Sequence, residues 1–267
     1  MLQPAHLLRH ERLANWLSAS PRHLAFVICA AWILIGLVGH DPWKSDEAYT
    51  FGAAYSMYES GDWLVPKIGN TPFLDTPPLV YYGAVLSMMT LSPAFALHDA
   101  ARLSVGIWLA LALLFTGLTA RELWGGNRSW VAPLMLIGCA GLLVRSHQLI
   151  STVPLLAALS VGIYGLALAP RRAQVGGLWF GIGLGFVFLA RGPLDTLMLV
   201  AMAVGMAIVS PRYRSARFLE SSAIAIGVAA PLIIAWPLAL YLQQPDLFAL
   251  WISQNQENLA ALFVFQE

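Results

Sequence analysis

Apolar residues in this chain fall in long unbroken blocks instead of alternating at strand spacing. Eight such blocks can be drawn, roughly 23–39, 79–97, 101–120, 130–144, 149–169, 175–190, 193–210 and 221–242. A helix needs about 20 apolar residues to cross hydrocarbon, so each block is a candidate transmembrane helix. The breaks between them carry turn and basic residues: Gly125-Gly126-Asn127, Pro170-Arg171-Arg172, Arg191-Gly192-Pro193 and Pro211-Arg212-Tyr213-Arg214. One interval, His40 to Pro78, is long and polar. The pattern predicts an all-α polytopic membrane protein whose only sizeable polar loop lies in its N-terminal third.

Composition agrees with this. The 267 residues are 58% apolar and 11% charged, whereas a soluble domain carries about 25% charge. A net charge of +1, with no basic cluster interleaved with aromatics, argues against a nucleic-acid partner. Cys29 and Cys139 each sit inside an apolar block without CxxC spacing and read as buried, inert thiols. Residues 1–22, with Arg9, Glu11, Arg12 and Pro21, form a polar leader before the first block. That block runs on apolar into His40-Asp41-Pro42 with no small-residue cleavage site, as an uncleaved signal anchor does.

Lys and Arg favour the cytoplasmic side of short loops. If all eight blocks cross from a cytoplasmic N-terminus, only 6 of the 15 basic residues lie inside. If residues 79–121 instead make one net crossing, the number inside rises to 10 of 15. The second arrangement puts the 41–78 loop, the Arg145–Thr152 junction, the Arg191-Gly192 turn and the C-terminal tail on one side, outside the cytoplasm. The division expected is a cytoplasmic leader over 1–22, a bundle over 23–242 carrying the 40–78 loop, and a juxtamembrane tail over 243–267.

The loop holds 6 of the chain's 14 acidic residues. Ser45 is a candidate N-cap, with Asp46 and Glu47 in the first helical turn, where carboxylates meet the positive helix end. Ala48 to Tyr58 places Tyr49, Phe51, Tyr55 and Tyr58 among small residues, as suits a helix in the membrane interface, and Gly61 would end it. Asp46 and Glu47 have two readings from these residues alone. They are capping carboxylates, or an acidic pair held at the membrane surface facing a lipid-linked substrate.

Three short motifs add a resemblance. Ser45-Asp46-Glu47-Ala48-Tyr49, then Ser60-Gly61-Asp62-Trp63 with Pro66, then Pro72-Phe73-Leu74-Asp75-Thr76-Pro77-Pro78 leading into Tyr81-Tyr82, resemble the first extracytoplasmic loop of the GT-C membrane glycosyltransferases. The bacterial aminoarabinose lipid A transferases and undecaprenyl-phosphate-sugar transferases, relatives of the protein O-mannosyltransferases, show the pattern Asp-Glu-x-aromatic, Gly-Asp-Trp and Phe-Glu-Lys-Pro-Pro. Fainter similarity continues through Ala100–Leu103, Arg145–Leu156, Phe188–Pro193 and Trp251 with Asn255 and Asn258.

The resemblance implies a GT-C-like bundle in a bacterial cytoplasmic membrane, a polyprenyl-phosphate-linked sugar as donor, and a lipid or surface glycan as acceptor. It implies that Asp46 is the catalytic carboxylate with Glu47 supporting it. Arg191, Arg102 and Arg145 become candidates for the lipid phosphate, with Asp75, Tyr49 and Tyr82 at the substrate. No cofactor is evident from the sequence; a divalent metal on Asp46 and Asp75 is compatible with the residue types, but the sequence does not demonstrate one.

The chain also departs from the pattern. Asp75-Thr76 stands where relatives have Glu-Lys, so the lysine expected on the donor phosphate is absent. Ser151-Thr152-Val153-Pro154 stands where relatives carry an Asp, and the chain stops at Phe265-Gln266-Glu267 where relatives continue, as a fragment of a longer protein would. Beside the transferase reading stand a non-catalytic degenerate paralogue and a transporter-like bundle. A transporter is expected to bury ionisable groups near the midplane; here they gather at block ends.

Overall fold

A computed structural model of the protein describes residues 21–126 and 128–261. Residues 1–20 of the leader, Asn127 and residues 262–267 lie outside them. Eleven α-helices occur among the described residues. They are α1 (Pro21–Leu34), α2 (Lys44–Ser60), α3 (Leu79–Leu91), α4 (Leu97–Trp124), α5 (Val131–Ile137), α6 (Ala140–Arg145), α7 (Thr152–Leu168), α8 (Ala173–Arg191), α9 (Pro193–Val209), α10 (Ala216–Gln243) and α11 (Pro245–Ala261). A two-residue antiparallel ladder, β1 (Lys67–Ile68) with β2 (Thr71–Pro72), stiffens the polar loop.

Helices α4, α8 and α10 are long and apolar enough to cross a bilayer, and α1, α3, α7 and α9 are shorter apolar helices. The protein is a multi-pass membrane protein. Its centre is the α7–α8–α10 layer, where glycines let backbones touch. A β-carbon on Gly165 would stand 2.2 Å from the Phe180 nitrogen, and one on Gly177 would stand 2.5 Å from the Ser221 carbonyl oxygen. Such small-residue contacts are how helices associate in lipid, which offers no hydrophobic drive for association.

Two expectations need correction. The 130–144 block is not one helix: it breaks at Gly138-Cys139 into α5 and α6, Gly138 being a weak helix former and Cys139 extended. Cys139 is exposed and Cys29 only partly covered, so neither thiol is fully buried. Within the expected tail, residues 245–261 form α11.

Helix length and packing bear on the arrangement of residues 79–121. The 13 residues of α3 rise about 20 Å, short of the roughly 30 Å of hydrocarbon, whereas the 28 of α4 rise about 42 Å. Helix α3 packs beside α2 and α4 in the core around Ala53, Ala54, Tyr81, Ala84 and Ala101. These lengths match one net crossing over 79–121.

The two ends of the bundle sort the loops accordingly. At one end Arg22 donates to the Gly126 carbonyl at 3.0 Å, Arg171 to the Glu122 carbonyl at 3.0 Å, and Arg172 pairs with Glu122 at 2.9 Å. At the other end the 41–78 loop, the 145–152 junction, the 191–193 turn and α11 meet around one cavity. Single cysteines replacing Lys67 and Arg172, in a chain with Cys29→Ala and Cys139→Ala, are therefore expected to label differently with an impermeant thiol reagent on intact cells. Position 67 should react and position 172 should not; equal labelling would overturn this orientation.

Candidate active site

The cavity measures about 1070 Å³, enough for a ligand far larger than a phosphate group. Helix α2 brings Asp46, Tyr49 and Thr50 to it, the loop brings Phe73 to Thr76, and α6 brings Arg145. The α8–α9 turn adds Arg191, Pro193, Leu194 and Asp195, and α11 adds Gln254, Asn255, Glu257, Asn258 and Leu259. Of the expected site residues, Asp46, Tyr49, Asp75, Arg145 and Arg191 line the cavity. Glu47, Arg102 and Tyr82 do not.

Glu47 lies in the core, not in the cavity. It is 1% exposed, and Arg102, also 1% exposed, donates from Nε to its Oε1 at 2.8 Å. The same oxygen accepts the Leu149 N–H at 3.0 Å, and Oε2 accepts the Trp43 N–H at 2.8 Å. Arg102 Nη1 also donates to the His40 carbonyl at 2.8 Å and to Asp99 Oδ1 at 3.2 Å, while Gly39 N–H donates to that Asp99 oxygen at 3.1 Å. A buried arginine held in this way by two carboxylates and a carbonyl, away from the cavity, is not available to a lipid phosphate. The network ties the start of the loop, α4 and the 149 turn together, which positions Asp46.

Ser45 does not cap α2. The helix starts at Lys44, with Trp43 as N-cap and no side-chain cap bond from it. Glu47, four residues on, accepts the Trp43 N–H instead. Lys44 takes φ +64°, a left-handed conformation uncommon for a residue with a β-carbon, at the turn that aims Asp46. Gly61 ends α2 as expected, at φ +69°.

Tyr82 and Asp62 hold the loop. Tyr82 donates to the Trp63 carbonyl at 2.8 Å, its ring 5.7 Å from that of Trp63. Asp62 accepts from Leu64 N–H at 3.1 Å and from Lys67 Nζ at 2.8 Å. Burial works to raise the Asp62 carboxyl, but these bonds and one from Val65 N–H outweigh it and hold it below its ordinary value. The neighbour that faces the cavity is Tyr81, which the sequence did not single out from the Tyr-Tyr pair. Its phenol is 1% exposed. Thr76 Oγ1 and Tyr81 Oη lie 3.0 Å apart and occupy the position where the resemblance predicts a lysine.

Asp46 is engaged by Arg145 from α6, both side chains being more than half exposed to the cavity. Arg191 lies 3.8 Å from Asp195, one turn on, a loose contact that leaves guanidinium donors free. Gly192 follows at φ +94° and Pro193 starts α9. His147 lies outside this cavity, its Nε2 2.8 Å from the Trp32 carbonyl and its Nδ1 3.0 Å from Ser146 Oγ. A divalent ion between Asp46 and Asp75 gains no support, since Arg145 holds Asp46 and no group of three or more His, Cys, Asp or Glu side chains converges among the described residues.

The structure is a polytopic helical bundle in which a carboxylate and two arginines meet in a cavity at one end. The comparisons narrow this to particular relatives. The chain is 25% identical over 229 residues to an undecaprenyl phosphate-alpha-4-amino-4-deoxy-L-arabinose arabinosyl transferase of Pseudomonas paraeruginosa, covering 84% of this chain and 41% of the relative. It is 28% identical over 222 residues to transferase 2 of that name from Pseudomonas fluorescens, covering 80% and 39%. Its fold matches the crystal structure of ArnT from Cupriavidus metallidurans bound to undecaprenyl phosphate with a TM-score of 0.72 at 16% identity, over 84% of this chain and 42% of that one. The apo ArnT structure matches with a TM-score of 0.73. The chain thus spans about two fifths of the length of the curated relatives it matches. No protein-family model matches it.

Proposed function

We propose that this chain carries the donor site of a membrane glycosyltransferase that moves a sugar from a polyprenyl phosphate to a lipid or cell-surface glycan, at the outer face of a bacterial cytoplasmic membrane. The observation that carries the reading is the meeting of Asp46, Arg145 and Arg191 in one cavity at the end of the bundle where the polar loop lies. The acceptor hydroxyl oxygen attacks the anomeric carbon and its proton passes to the Asp46 carboxylate. The bond from that carbon to the phosphate oxygen breaks, and the polyprenyl phosphate leaves with the electron pair. Its charge needs cations in a site of reduced dielectric, and Arg145 and Arg191 supply them.

The Asp46–Arg145 contact gives this reading an order of events. A free carboxylate and a donor phosphate compete for one guanidinium, so a bound donor draws Arg145 away and leaves Asp46 free to accept a proton. A second reading, a binding-only paralogue, is favoured by Thr76 and by Ser151–Pro154, which replace a lysine and an aspartate of the pattern.

Binding of undecaprenyl phosphate to the detergent-solubilised chain tests the proposal. Arg191→Gln is expected to weaken it about tenfold or more, the loss of a charge-assisted hydrogen bond, whereas Arg172→Gln, at the far end, should leave it unchanged. Equal affinities for both variants and the parent would mean that no donor-phosphate site exists here.

A further inference from the structure

Helix α11 contributes a stretch of cavity lining that the phosphate chemistry does not use. Its apolar side is anchored: Trp251 is buried, with its ring 5.3 Å from that of Trp236 and 6.2 Å from that of Phe188, in a cluster with Val65 and Leu74. That anchoring turns Gln254, Asn255, Glu257 and Asn258 to the cavity. The spacing of 254, 255 and 258 is that of one helix face.

Much of the hydrogen-bonding capacity of this face is unused among the described residues. The Gln254 side-chain oxygen is buried and makes no hydrogen bond. Asn255 donates its amide N–H back to the Trp251 carbonyl at 2.8 Å, leaving its oxygen near Gly192, 3.5 Å from where a β-carbon there would stand. Glu257 adds a carboxylate without a cation partner among the described residues. A buried amide oxygen without a donor is costly and calls for an explanation.

Acceptors in excess call for a ligand rich in O–H groups, and hydroxyls both donate and accept, so they suit amides in either orientation. The contact between Gly192 and Asn255 sets this face one residue from Arg191. A glycosyl ring is one C–O–P linkage from its phosphate, so the two parts of a donor would reach the two places together.

We infer that the Gln254–Asn258 face of α11 is the subsite for the hydroxyl groups of the transferred sugar. The inference rests on the donor-site reading above, and the test separates the two. Affinities of the full chain for undecaprenyl phosphate and for the same lipid carrying a pentose are measured side by side. Gln254→Leu is expected to weaken binding of the pentose lipid about fivefold or more, the loss of a hydrogen bond to a buried polar atom, and the exposed Asn258→Leu about threefold, with undecaprenyl phosphate affinity held within about twofold. Unchanged binding of the bare lipid also reports that the variants fold. If the parent binds undecaprenyl phosphate but neither variant loses affinity for the pentose lipid, or if both lipids weaken equally, the subsite is wrong and the donor reading stands. If the parent binds neither lipid, both readings fall.

Discussion

Asp46→Asn should reduce sugar transfer from the polyprenyl phosphate by about 10²- to 10⁴-fold, the usual contribution of a positioned general base, while the binding of undecaprenyl phosphate becomes tighter. The two effects have one origin. Asparagine keeps the size of the side chain but can neither take the acceptor's proton nor neutralise Arg145, which now contacts Asp46. The freed guanidinium is then available to the phosphate before any competition. A merely structural aspartate would lose abundance and binding together, so the opposite signs on turnover and affinity distinguish the roles. Transfer and lipid binding are measured on the same membranes, with abundance as the control. Full transfer by the variant would remove Asp46 from the mechanism, and weakened binding would remove the competition for Arg145.

Arg102→Met should be the most destabilising single change among the charged residues. It leaves Glu47 and Asp99 facing each other's surroundings without the guanidinium that joins them at 2.8 and 3.2 Å. Removing one partner of a buried pair costs about 3–5 kcal/mol because the other charge stays buried. The expected result is a marked fall in the apparent melting temperature in detergent, together with a loss of the geometry that presents Asp46. Adding Glu47→Leu should recover part of the stability, since Asp99 is then the one carboxylate left without Arg102, but not transfer, because the Leu149 and Trp43 N–H groups lose their acceptor. An unchanged melting temperature for Arg102→Met would show that the network holds nothing in place.

The number and placing of the apolar blocks needed no tertiary information, because a span is a local property: a run of apolar side chains must be helical in lipid wherever its neighbours lie. The same holds for Gly61 and Gly192-Pro193, whose turns are set by backbone sterics at those residues. The resemblance carried by the loop motifs pointed to Asp46, Arg145 and Arg191, and all three line the cavity. The block at 130–144 read as one span because apolar character alone does not register the break at Gly138-Cys139.

What the sequence left open is decided by which way adjacent residues face. Successive residues on a helix point about 100° apart, so of Asp46 and Glu47 only one can look into the cavity, and of Tyr81 and Tyr82 only one. No local signal says which. The choice is made by distant partners: Arg102, 55 residues from Glu47, takes that carboxylate into the core, and Arg145, 99 residues from Asp46, meets the other at the cavity. Arg102 read as a phosphate ligand because its charge is visible in the sequence and its burial between two carboxylates is not. The polar face of α11 became part of the site only because Trp251 packs against Trp236 and Phe188, a contact between segments that the hydropathy pattern treats as unrelated.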